Sequence, residues 1–151
     1  MTSAQFMASR HSLRTLAALA ISALIAVGCA TTDQLSEADE ARLLERVEAR
    51  WAAMEERDWA SVWALYSPAY RAAFPEHIHR QQYFSTMRWE LTGTKLLNYD
   101  SRAAVASVSV RIMNEPLKPT SAASAALGAV PIDRVERWVF REGDWWFSVS
   151  K

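Results

Sequence analysis

After Trp89 the apolar residues stop recurring at every third or fourth position and begin to alternate, and this switch restricts the chain to helices first and a sheet afterwards. The alternation predicts two strands, at 94–99 and 103–114, joined through Asp100-Ser101-Arg102, with Val108, Val110 and Ile112 on one face. It predicts a second hairpin, 132–141 and 145–150, turning at Glu142-Gly143-Asp144. On the last strand Trp145, Phe147 and Val149 share one face and Trp146 takes the other. Elements in this order pack as an α+β domain, in which the helices cover one face of an antiparallel sheet.

The helical half has clear start signals. Ser36 is a predicted N-cap, and Glu37, Asp39 and Glu40 fall in the first turn, where the helix dipole favours acids. From there Leu44, Val47, Trp51 and Met54 form an apolar stripe on a helix of about 20 residues, with the Glu- and Arg-rich faces in solvent. Asp58 is a predicted cap for a second helix carrying Trp59, Val62, Trp63 and Tyr66 on its inner face, so the two helices are expected to form a hairpin. Ser67-Pro68 fits a cap followed by proline at the first helical position, and Pro75 ends that short turn. Residues 76–87 read as a third helix with Ile78, Phe84 and Met87 buried. Residues 115–131 hold three prolines and an Ala- and Ser-rich run, and read as an inserted loop, either a plain connection or a flap over a pocket.

The first 28 residues follow different rules. Arg10, His11 and Arg14 precede an apolar run from Leu16 to Val27, and no acidic residue occurs among these positions. The run is shorter than the roughly 20 residues a bilayer core requires, so it reads as a cleaved export signal. Ile25-Ala26-Val27-Gly28-Cys29 resembles the lipobox of bacterial lipoproteins, departing from it at Ala26, where that motif prefers Leu. The resemblance implies that Cys29 becomes the acylated first residue of the mature chain and that 29–36 form a lipidated tether. Ala30 in place of Asp resembles the outer-membrane sorting pattern, implying the periplasmic face of the outer membrane.

The chain has 17 basic and 17 acidic residues, and removal of the leader takes two basic residues and no acidic one. A slightly acidic mature domain has no electrostatic footprint for nucleic acid. Its single cysteine would be used by the lipid, leaving no thiol pair for a disulfide or a Cys-based metal site, and no cofactor is implied.

Several pieces of 37–151, namely Arg50-Trp51-Ala52-Ala53, Arg57-Asp58-Trp59, Ser67-Pro68-Ala69-Tyr70-Arg71 and the run from Trp138 to Trp146, resemble small bacterial proteins of the NTF2-like superfamily. That superfamily includes SnoaL-type cyclases and ketosteroid isomerase. The resemblance implies a cone-shaped α+β barrel, a curved sheet wrapped around helices with a pocket at the wide end. The family's first small hairpin is not evident, and residues 67–75 stand in its place.

An isomerase-like site would need a carboxylate base facing an acidic donor in an apolar cavity. Asp58 reads as a cap, Asp100 and Asp144 as turn residues, and Asp133 and Glu136 as strand residues that Arg134 and Arg137 can balance, so no carboxylate is left that demands a catalytic role. His77 and His79 diverge by about 200° on a helix, so they read as solvated side chains and not as a metal pair.

The seven tryptophans all lie in the mature domain. They read mainly as core, with Tyr66, Tyr70, Trp138 and Trp146 as candidates to line a cavity and Arg71 to meet a carboxylate at its mouth. The resulting expectation is a membrane-tethered, non-catalytic domain that binds a small apolar ligand or an envelope protein. Two alternatives are a SnoaL- or isomerase-type enzyme with Tyr66 or Tyr70 as donor, and a homodimeric interaction module pairing through a sheet face that carries Ser107, Ser109, Arg111 and Trp145.

Overall fold

The computed structural model describes residues 34–82 and 86–149, all within the unit 33–151. The leader, Cys29 and the lipobox lie outside the described residues, as does Phe84. Helix α1 (Glu37–Glu56) starts as the sequence predicts, with the Ser36 hydroxyl accepting from the Asp39 amide at 3.1 Å. It ends at Arg57, whose left-handed backbone (φ 61°) returns the amide to the carbonyls of Ala53 and Met54. Its inner stripe is rotated from the expected one. Leu43 is fully buried while Leu44 only packs at the margin, and the stripe 43-47-50-51-54 carries Arg50 into the interior.

Asp58 caps α2 (Trp59–Ala64) through the Ser61 amide, as expected, but the helix stops before Tyr66. Tyr66 instead bridges in parallel to Phe147, the Phe147 amide donating to Leu65 O at 2.9 Å and the Ser67 amide to Phe147 O at 3.0 Å. Ser67 and Pro68 start α3 (Pro68–Ala73), and α4 (Glu76–Arg80) follows Pro75. The expected helix to residue 87 is thus cut to five residues, because Met87 already pairs with Pro116 in the sheet and long-range strand pairing overrides the local helical pattern. Ile78 is 38% exposed, and the buried member of α4 is His79, which shows no surface at all.

Four strands form an antiparallel meander in the order β1-β2-β3-β4: β1 (Met87–Asp100), β2 (Val105–Pro116), β3 (Val130–Arg141) and β4 (Asp144–Ser148). Strand β1 is more than twice as long as expected. Its register shifts between Leu91 and Gly93 and between Leu96 and Asn98, and each bulge offsets the alternation by one residue, hiding the first half of the strand from a period-two reading. The β3–β4 turn is the predicted one, with Glu142 and Gly143 at φ 55° and 81°, the positive values a two-residue hairpin turn requires. Between β2 and β3, a capping box of Ser121 and Ser124 starts the short helix α5 (Ala122–Leu127), none of it buried, where a structureless loop was expected.

Val47, Trp51 and Val62 of the helices pack on Val108, Val110, Ile112, Trp138 and Trp145 of the sheet. This is the α+β arrangement the periodicity predicts, with N-terminal helices on one face of a bent antiparallel sheet. One device was not anticipated. Arg42, Arg46 and Arg50, one helical turn apart on α1, lie along the open edge of β4: Arg42 donates to Gly143 O at 2.9 Å and Arg46 to Trp145 O at 3.0 Å, and the Arg50 guanidinium sits 3.9 Å over the Phe147 ring. Arg42 and Arg46, with the Tyr66 bridge, occupy edge hydrogen-bonding groups that would otherwise invite another strand.

Candidate functional site

The sheet register decides which polar groups face inward. Successive residues on β3 point to opposite faces, so Asp133 and Glu136 part company. Asp133 points outward, directly across from Arg111, and takes a bidentate pair at 2.8 and 2.9 Å that holds its carboxyl below the ordinary range. Glu136 faces α1 and is buried, 6% exposed. The expected balancing by Arg134 and Arg137 therefore does not occur, because those residues are neighbours in sequence and not across the ladder.

Around Glu136 three donors converge. Arg50 Nη1 lies 2.8 Å from Oε1, Trp51 Nε1 donates to the same oxygen at 3.1 Å, and Trp138 Nε1 donates to Oε2 at 3.1 Å. The Arg50–Glu136 pair is thus a charge pair inside the core, boxed by Trp51, Trp138, Tyr66 and Phe147. Burying two ions costs several kcal/mol each, and here the carboxylate recovers that through three short contacts.

Beside this pair lies an aromatic wall. Tyr66 stacks on Tyr70 at 4.2 Å, and His79 meets the Tyr66 ring edge-on at 4.7 Å. The Tyr70 hydroxyl is 3.0 Å from His79 Nδ1 and 3.5 Å from Gln82 Oε1. Burial holds the Tyr70 phenol above its ordinary value, with Tyr66 adding to the effect. Burial pushes the His79 imidazole down, and the Arg50 charge pushes it further. The wall therefore holds a phenol and an imidazole among apolar rings, the imidazole with no exposed surface. The two histidines diverge as the helix dictates, but only His77 is solvated, since His79 is drawn inside by the Tyr66 and Tyr70 rings.

The depressed His79 value has a consequence for stability. The unfolded chain binds the histidine proton near pH 6.5 whereas the folded one binds it only at lower pH, so this contribution is complete above about pH 6.5 and is lost as pH falls toward the folded value. Urea midpoints of the wild type are expected to fall between about pH 7.5 and about pH 5.5 more steeply than those of His79→Leu. Parallel pH dependences in the two chains would refute this.

The five candidate cavity residues divide into two groups. Tyr66 and Tyr70 join the wall just described, and Trp138 closes beneath it with no exposed surface, 5.8 Å from Phe147. Arg71 and Trp146 lie beyond it, Arg71 beside Tyr70 on α3 and Trp146 on the opposite face of β4 from Phe147. Trp145, expected on an exposed sheet face, is 1% exposed and belongs to the core, so that face retains Ser107, Ser109 and Arg111 without it. The residues that sequence reasoning missed are Arg50, His79 and Glu136. The Arg42-x3-Arg46-x3-Arg50 spacing along one side of α1, beside the buried Leu43 and Val47, was the available signal for the first. Elsewhere, a half-open groove of about 600 Å³ includes Leu35, Leu96, Leu97 and Tyr99, and none of the five candidates lines it.

No protein-family model matches the chain, and no curated protein matches it. Among solved structures it is similar to Aln2 from a Streptomyces species, at 11% identity over 75% of this chain and 88% of that one, with a TM-score of 0.48.

Proposed function

We propose that this chain is an envelope lipoprotein, anchored through Cys29, whose NTF2-like domain binds a small apolar or amphipathic ligand without transforming it. The observation that carries this reading is the state of Glu136. It is the buried carboxylate among the described residues, and both of its oxygens are held by Arg50, Trp51 and Trp138. A carboxylate so engaged braces the fold and is poorly placed to take a proton from a substrate. What reaches the surface beside it is the half-buried Tyr70 phenol with the exposed Phe74 ring 4.8 Å away, an aromatic patch with a polar tip that suits binding.

The test is native mass spectrometry of the full-length protein released gently from the producing cell's envelope. A co-purifying adduct of one small molecule per chain is expected, and its occupancy should drop in Tyr70→Ala while the melting temperature stays measurable. Bare protein at the monomer mass, in wild type and variant alike, would reject ligand binding. Bare protein at twice that mass would move the function to the sheet face bearing Ser107, Ser109 and Arg111.

A further inference from the structure

Arg71 occupies an unusual setting. Its guanidinium carbon lies 5.6 Å from the Trp63 ring and 4.8 Å from the Trp146 ring, and Arg46 also lies 4.8 Å from Trp146. Two cations therefore share one indole. The rings themselves are fixed, since Trp63 Nε1 donates to Phe74 O at 2.8 Å and Trp146 Nε1 to Arg141 O at 2.9 Å.

Arg46 is balanced in part by Asp144 at 3.1 Å, whereas no carboxylate pairs with Arg71 among the described residues. Arg71 Nε and Arg46 Nη2 are both buried without a hydrogen-bond acceptor. Aromatic rings give a guanidinium no conventional acceptor for its N–H groups, and an unmade hydrogen bond at a charged group is costly, so an anion brought to Arg71 would supply what the rings do not.

We infer that Arg71, held by Trp63 and Trp146 and assisted by Arg46, is an anion site that takes the carboxylate or phosphate head group of an amphipathic ligand. The inference rests on the ligand-binding reading above and narrows it to anionic amphiphiles. The connection runs along α3: Arg71 follows Tyr70, whose half-buried ring lies 4.8 Å from the exposed Phe74 ring, so a tail laid over Tyr70 and Phe74 would start beside the head-group site.

The full chain, kept soluble in amphipol, would be titrated calorimetrically with octanoate, 1-octanol and inorganic phosphate, with amphipol alone as blank. Octanoate is expected to bind about tenfold or more tightly than octanol, the difference one charge-assisted contact makes. Arg71→Met should erase that preference and leave octanol affinity unchanged, and Arg71→Lys should keep only part of it because the fork is lost. Phosphate binding that vanishes in Arg71→Met would also support the site and would identify a small free anion as its source.

Equal affinities for octanoate and octanol in the wild type would overturn the anion site while leaving the ligand reading intact. Binding of none of the three would overturn both. Should Arg71→Met fail to fold, loss of the octanoate preference at high chloride serves as the second readout, and a preference indifferent to salt would count against the site.

Discussion

Glu136→Gln is expected to lower the stability of the domain by about 3–5 kcal/mol, read as a large fall in the urea midpoint. The reason is not the loss of a favourable ion pair as such. Arg50 is 5% exposed, and its guanidinium sits over the Phe147 ring with Tyr66 and Trp51 nearby. An amide in place of Glu136 would leave that charge uncompensated in the interior. The carboxylate also accepts the indole N–H groups of Trp51 and Trp138, and the two oxygens of a carboxylate serve three donors better than the single acceptor of an amide. The double variant Arg50→Met/Glu136→Leu should recover most of the loss, since apolar replacement of a whole buried pair is often neutral. A stability for Glu136→Gln within about 1 kcal/mol of the wild type would show that the pair carries no such burden.

The second large effect concerns location. Cys29→Ala is expected to shift the protein almost completely from the membrane pellet to the soluble fraction of the lysed cell, and to abolish incorporation of labelled palmitate. Each buried methylene contributes about 0.8 kcal/mol, so loss of more than one acyl chain removes tens of kcal/mol of membrane affinity. No helix among the described residues is long and apolar enough to cross a membrane. The proposed function places attachment at Cys29. Fractionation that is unchanged in Cys29→Ala, with no label in the wild type, would overturn the lipid anchor.

The elements of the fold were legible where their cause is local. Ser36, Asp58 and Ser67 each accept a backbone amide three residues on, and Glu142-Gly143 supply the positive φ of the turn, so the signal and its effect lie within one short window. The strand at Val108–Ile112 was legible because alternation persists there. Alternation failed at Leu91–Gly93, where a bulge shifts the register, and the helix expected to reach Met87 ends at Arg80, Met87 itself being claimed by Pro116 across the sheet.

What the sequence determined by itself, then, is the order of helices and strands, their caps and turns, and the face of β2 that goes inside, because each depends on residues a few positions apart. Only the tertiary structure decided which charged and polar residues go inside. Arg50 meets Glu136 across 86 positions, Arg46 reaches the β4 edge across 99, and His79 is buried by tyrosines of a different helix and of the bridge before it. A residue that looks solvated on its own helix becomes interior when the register of a distant strand sets a countercharge opposite it, and no local pattern encodes that register.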